Sequence, residues 1–310
     1  MLNIFHHYRS TTITPKELIK LVVDAERNVK EWKILLKSMY YNNFPIKLHL
    51  KRKFHSNAVT INNILQAWLI ASGLLFKIEN DFLTFQFRGR EVRFLNSDGY
   101  MGDLPGVFCK LIYDGLYVKG REVVDIGSTV GDSVIFFSIK GAEKIISVEP
   151  FPVAFRQLKQ NIKANGLEDR VVLHNAAIST RTNSLLLDPD LLEVSSVPAD
   201  NFENGIEVPS VSFQNIASEL RTNEAILKMD CEGCEYDAIL SSDIDTLSKF
   251  RSMIIEYHYG PKLLQNMQNK LIELGYDVKI TRPRIVVNQR AVGGKMKVGY
   301  IYAERKGSIS

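Results

Sequence analysis

The amino-acid sequence predicts an α/β protein: a Rossmann-like, doubly wound and mainly parallel seven-stranded sheet, preceded by an N-terminal helical and small β extension. Three observations predict it. Short apolar runs alternate with helical segments from Val123 onward. Glycines gather at the first strand-to-helix turn, between Val123 and Gly131, and an acidic residue, Glu149, ends the following run. A chain of 310 residues, 45% hydrophobic and 24% charged, can bury one large core or a moderate core with an accessory domain. The change of pattern places the extension at residues 1–97 and the α/β domain at 98–310.

In chain order, Pro15 suits a first helical position, with Thr14 as its cap and Glu17 completing a capping box. Apolar residues from Leu18 to Met39 then recur on one face, predicting a single helix up to the Tyr40–Pro45 break. A second helix is expected over Ile61–Leu75. Ile78, Phe82–Phe87 and Val92–Leu95, divided by Asn80-Asp81 and Gly89, read as a small meander. The sheet follows: strands at Val123–Ile126, Lys144–Glu149, Val171–Ile178, Ile226–Asp230, Ser252–His258, Tyr276–Ile280 and Val298–Ala303. Helices are expected at Ser133–Ile139, Val153–Ala164 and Pro261–Leu274. Strands alternating with helices call for a sheet covered on both faces.

Bulk properties exclude some classes. The longest apolar run, Ala67–Phe76, is half the length needed to span a bilayer, and the N-terminus lacks the pattern of a signal peptide, so cytoplasmic residence is expected. Three cysteines make no disulfide framework, which fits a reducing compartment. A net charge of +4 permits a nucleic-acid partner without favouring one. Oligomeric state has no signature.

The densest chemical signal is VVDIGSTVG, Val123–Gly131, read with ISVEP, Ile146–Pro150. Gly127 follows the strand where a side chain would obstruct a close ligand, Ser128 shares its turn, and Gly131 sits where the helix begins. Free N–H groups at a helix start meet a carboxylate well. Glu149, 24 residues after Asp125, stands where an acid accepts from both hydroxyls of a ribose. Thr129 occupies the place where a dinucleotide fingerprint requires glycine, and Asp125 suits a cationic ammonium and sulfonium better than phosphates. The turn therefore favours S-adenosyl-L-methionine. Asn175 and Ala176 are candidates for the adenine, and Phe151 either covers a ring face or joins the core.

These segments, with HNAAIS (His174–Ser179) and ILKMDCEGCEYDAIL (Ile226–Leu240), resemble successive blocks of the FkbM-type methyltransferases, over about Asp98 to Glu304. The resemblance implies a class I fold and transfer of a methyl group from S-adenosyl-L-methionine, commonly to hydroxyls of sugars or natural products. It assigns Asp125, Gly127 and Gly131 to the cofactor loop and Glu149 to the ribose, and Asp230, Glu232, Gly233 and Glu235 match its K-x-D-x-E-G-x-E block. Thr129 departs from the asparagine common in that loop, and Cys231 and Cys234 are additions to the later block.

Asp230, Glu256 and His258, leaving neighbouring strands, are the candidates for chemistry. His258 has the titration range of a general base near neutrality, and Asp230 either shares that task or orients it. The alternative is structural: Glu232 and Glu235 bracing a helix, His258 satisfying a carbonyl. These residues also offer metal-ligand atoms, but spacing across different strands establishes no shell, and no metal is assigned. Cys231 and Cys234 read as small fillers at a strand–helix junction. Residues 181–208 are placed for a lid or a surface excursion, and Lys47–His55 is a local basic cluster. The expected acceptor is a hydroxyl of a small molecule, sugar or glycolipid. An RNA methyltransferase using the N-terminal basic region, or a non-catalytic binding protein retaining the fold, are the alternatives.

Overall fold

The computed structural model describes residues 15–51, 58–96, 102–180, 184–187, 205–258, 261–287 and 295–305. Backbone contacts divide the chain into two units, Met1–Ile112 and Tyr113–Ser310.

In the first unit, the single helix expected up to Met39 is two, α1 (Pro15–Asn28) and α2 (Trp32–Tyr41). The break has a backbone cause. Val29 forms a bridge with Leu50 and the Lys30 N–H donates to the His49 carbonyl at 2.8 Å, so residues between the helices are held by an adjacent strand. That strand is β1 (Ile46–His49), antiparallel to β2 (Ala58–Ile61). The alternating basic positions Lys47 and His49 are thus exposed sites on a hairpin strand, while 52–57 lie outside the described residues, as does Thr14. Helix α3 (Ile64–Ala71) starts later than expected because Asn63 caps it, its side chain accepting from the Gln66 N–H at 3.0 Å. The meander is β3 (Phe76–Glu79), β4 (Phe82–Phe87) and β5 (Arg90–Leu95). Asn80, Asp81, Arg88 and Gly89 all take positive φ, as tight hairpin turns require. Phe85 and Phe94 pack there with Phe108, which stands on a π-helical turn at Pro105–Cys109.

The second unit runs β6 (Glu122–Ile126), α4 (Asp132–Ile139), β7 (Lys144–Val148), α5 (Pro152–Ala164), β8 (Val171–His174), β9 (Ala177–Ile178), β10 (Ser184–Leu187), β11 (Ile206–Val211), α6 (Phe213–Ser218), β12 (Ala225–Met229), α7 (Cys234–Ser241), α8 (Ile244–Leu247), β13 (Phe250–His258), α9 (Pro261–Glu273), β14 (Tyr276–Ile280), β15 (Arg284–Val287) and β16 (Lys295–Arg305). The main sheet has the order β14-β16-β13-β12-β6-β7-β8, with β15 added on β16. Neighbours from β8 to β13 are parallel, and β16 is antiparallel to β13, β14 and β15. The seven expected strands form this path, and β15 is the extra one. Every residue of β6 and β12 is buried, as central strands covered on both faces must be. The run Val171–Ile178 is not one strand. After His174 it leaves the main sheet, and β9 pairs with β11 in a small sheet that also holds β10. The remainder of the 181–208 interval lies outside the described residues.

From β6 the chain winds outward through β7 and β8, then returns to β12 on the other side of β6. The order therefore reverses between β6 and β12, and ligands of such sheets bind outside the carboxyl ends of strands at that reversal.

Candidate functional site

At the carboxyl end of β6, Gly127 takes φ +73° and its N–H donates to the Val148 carbonyl at 2.9 Å. A Cβ built there would lie 1.8 Å from the carbonyl oxygen of Asp230, so no side chain fits. The turn after β6 and the exit of β12 are thus in direct backbone contact, and the Asp230 N–H donates to the Ile126 carbonyl at 3.0 Å. Gly131 (φ +87°) begins α4, and a Cβ would meet Leu158 of α5 at 2.6 Å. Its expected role, close packing of the helix start, has this contact as its cause.

Asp125 is fully buried on β6. Its Oδ2 accepts from the Ser133 hydroxyl at 2.5 Å, and its Oδ1 pairs with the Lys228 ammonium at 3.1 Å. Lys228 also donates to the carbonyls of Gly127 at 2.7 Å and Ile126 at 3.3 Å. Burial alone would lower this lysine, but Asp125, followed by Asp230 and Asp132, outweighs it and raises its pKa, so it remains charged. The expectation that Asp125 offers its charge to a cationic ligand is therefore corrected: Lys228 receives that charge, and Asp125 braces the turn from beneath. Lys228 was missed in the sequence, although a lysine amid the apolar ILKM of a central strand is itself a signal of a buried partner.

Glu149, just past β7, faces the same turn. Its Oε2 accepts from the Thr129 N–H and its Oε1 from the Phe151 N–H, each at 2.8 Å. Burial pushes its pKa up to about 7 despite these two donors and nearby Lys228. Each oxygen retains a lone pair for a further donor. Ser128 points inward, its hydroxyl 2.6 Å from that of Ser147, so its side chain braces β7 against the turn. Asn175 differs from expectation. Its Nδ2 donates to the carbonyls of Glu149 at 2.9 Å and Pro150 at 3.0 Å, so this nitrogen holds the loop and only the amide oxygen is left to face a purine. Ala176, next to it in sequence, is buried, as is Phe151, the residue preceding α5.

The second constellation lies at the ends of β12 and β13. His258 is 1% exposed. Its backbone N–H donates to Glu235 Oε1 at 2.9 Å, and the same oxygen lies 3.1 Å from its Nδ1. The ring's other nitrogen, Nε2, lies 3.2 Å from Glu232 Oε2 and 3.9 Å from Asp230 Oδ1. Burial alone would lower the imidazole, but Glu232, Glu235 and Asp230 together outweigh it and push its pKa up to about 10. The near-neutral base expected of His258 is thus an imidazolium held among carboxylates. Glu256 pairs instead with Arg284 of β15, its Oε1 lying 3.1 Å from the guanidinium. Glu235, fully buried on α7, positions the whole group, and also accepts from the Gly233 N–H at 2.8 Å. Cys231 and Cys234 are joined in a disulfide across this turn, not loose fillers. Among the described residues, Asp230, Glu232 and His258 present donor atoms within 4.8 Å of one another, a set able to hold a metal ion.

Residues 125–278, from the buried aspartate of β6 to β14, match the family model of the methyltransferase FkbM domain. The chain carries an FkbM methyltransferase domain. That domain has the class I fold of the S-adenosyl-L-methionine-dependent methyltransferases. The chain is also similar to ribosomal protein L11 methyltransferases, at 35% identity over 63 residues for that of Alteromonas mediterranea and 39% over 54 residues for that of Carboxydothermus hydrogenoformans. These matches take in 20% and 17% of this chain and only 22% and 18% of those relatives' lengths. Among solved structures, the tRNA m1G37 methyltransferase of M. jannaschii superposes with a TM-score of 0.40 at 17% identity, covering 74% of this chain and 56% of that one. Precorrin-6y C5,15-methyltransferase of Geobacter metallireducens gives 0.34 at 16%, covering 60% and 81%. No helix among the described residues is long and apolar enough to cross a membrane.

Proposed function

We propose that the FkbM domain methylates a hydroxyl oxygen of an acceptor, a small molecule, sugar or glycolipid, seated against Asp230, Glu232 and His258. The observation that carries this reading is the contact between Gly127 and the Asp230 backbone, which sets the glycine turn directly against the strand end that bears Asp230, at the strand reversal. S-adenosyl-L-methionine supplies an electrophilic methyl on a positively charged sulfur. The chain's residues do the rest. Glu149 accepts the ribose hydroxyls, and the amides opening α4 take the carboxylate. Because His258 already carries a proton near neutrality, the hydroxyl proton passes to a carboxylate, and Asp230, nearest the glycine turn in the chain, receives it as the new oxygen–carbon bond forms. Glu235 and His258 hold that carboxylate group in place.

A second reading, a macromolecular acceptor such as RNA or protein, draws on two observations. Lys47, His49 and Lys51 are exposed along and just past β1, and the curated relatives are named for a ribosomal protein. Radiolabelled methyl transfer to hydroxyl-bearing glycans and lipids, run beside total RNA and ribosomal protein, separates the two. Label in RNA or protein alone removes the small-molecule acceptor. Asp230→Asn is expected to slow transfer by 100-fold or more, and a full rate in that variant clears Asp230 from the chemistry.

A further inference from the structure

We propose that Asp230, Glu232 and His258 form a binding site for a divalent cation. The site's existence does not depend on the class of acceptor; its use in methyl transfer rests on the hydroxyl reading above. Three features carry it beyond a mere gathering of acids. The imidazole is almost wholly buried, and its Nδ1 side is taken by Glu235 Oε1 at 3.1 Å, so Nε2 is the nitrogen directed at the two remaining carboxylates, and a cation bound there takes the place of the Nε2 proton of the ion-free form. A carboxylate behind a histidine is how proteins orient a ligating imidazole and raise its basicity. The separations also suit a common centre. Nε2 to Glu232 Oε2 is 3.2 Å and Nε2 to Asp230 Oδ1 is 3.9 Å, with all three donor atoms inside 4.8 Å. Ligands bonded at about 2.1 Å and roughly 90–110° apart lie about 3.0–3.4 Å from one another, so a small inward movement of Asp230 completes the set. Negative charge is concentrated there as well: Asp230, Glu232 and Glu235 all face one imidazole.

The donor chemistry selects the ion. Two carboxylates and one imidazole suit a hard to intermediate cation, and Mn2+ accepts the nitrogen more readily than Mg2+ does. A cation there has open positions for an acceptor oxygen, whose hydroxyl it would make more acidic. The oxygen of Asp230 that is not a ligand remains to receive the proton.

The test uses the full chain, stripped with chelator and titrated with Mn2+ alone while free ion is followed by electron paramagnetic resonance. One ion per chain is expected, with affinity reduced at least tenfold in Glu232→Gln and unchanged in Glu273→Gln, an exposed acid of α9. Pulsed spectra of the unmodified protein are expected to show coupling from one imidazole nitrogen, a readout that needs no variant to fold. Binding of S-adenosyl-L-methionine to the same samples reports separately on the cofactor crevice. Absence of stoichiometric Mn2+, equal affinity in a folded Glu232→Gln, or a spectrum without nitrogen coupling each overturns the site, whether or not the cofactor binds.

Discussion

Lys228 and Asp125 show how much a single buried pair decides. The lysine is 3% and the aspartate 0% exposed, and the ammonium also ties down two carbonyls of the glycine turn. Removing one partner leaves the other buried and uncompensated, which costs about 3–5 kcal/mol. Lys228→Met is therefore expected to destabilise the protein by that amount in urea unfolding, while Lys228→Met combined with Asp125→Leu recovers much of it. A double variant no more stable than the single one would show that the charges are not coupled. Glu149 gives a pH prediction. Its pKa is raised to about 7 from 4.5, so its protonated form stabilises the fold below about 4.5 and that contribution is lost as pH rises through 7. Under the proposed ribose contact, cofactor binding runs the other way, because the carboxylate is the form that accepts two hydroxyls. The dissociation constant is expected to rise by up to tenfold per unit as pH falls below about 7, measured by calorimetry, and Glu149→Gln is expected to bind weakly with no such slope. These two acids were legible in the sequence as residues, but the task of Asp125 was not. Which charge answers another across two strands depends on register, and Lys228 lies opposite Asp125 only once β12 is paired with β6.

The turn from β12 into α7, where the chemistry is proposed, has an unusual backbone. Glu232 takes φ +57° and Gly233 φ +125°, and the Cys231–Cys234 disulfide closes the same four residues. Left-handed backbone at a non-glycine residue is retained where surrounding structure holds it, often at functional sites. Closing so short a loop constrains the unfolded chain by about 2 kcal/mol on the loop-entropy account. Replacing both cysteines with serine is expected to lower unfolding free energy by that order and to abolish the response of the melting temperature to reductant. A wild-type protein indifferent to reductant would mean that the bond contributes nothing to the fold. Elements were read with uneven success for identifiable reasons. Strands β6, β7, β12 and β13 were plain because central parallel strands are continuous apolar runs. The helix break at Val29 and the split of Val171–Ile178 were hidden, since each is made by pairing with a distant segment rather than by a local breaker. The disulfide was likewise invisible, because C-x-x-C alone does not distinguish a bond from two thiols.

Across the whole chain, basic and acidic residues nearly balance, 39 against 35. A protein that reads RNA through phosphate contacts loses roughly 10³-fold or more in affinity between 50 and 200 mM salt. With a small hydroxyl-bearing acceptor, the Michaelis constant is expected to change less than threefold over that range. A steep salt dependence, weakened by Lys47→Ala with Lys51→Ala, would instead assign the acceptor to nucleic acid. The seven strands followed from apolar runs alternating with helices, and the family from four sequence blocks in succession. The acceptor did not, because the side chains proposed to meet it stand on separate strand ends whose convergence no spacing records.

The ammonium of Lys228 reaches up to the carbonyls of Ile126 and Gly127 while its own charge is answered from below by Asp125. A cradle anchored in this way is rigid before its guest arrives. Association then spends little free energy on arranging the receptor, so the affinity for the nucleoside comes almost undiminished from the contacts themselves, and the free and occupied forms of this turn share one shape.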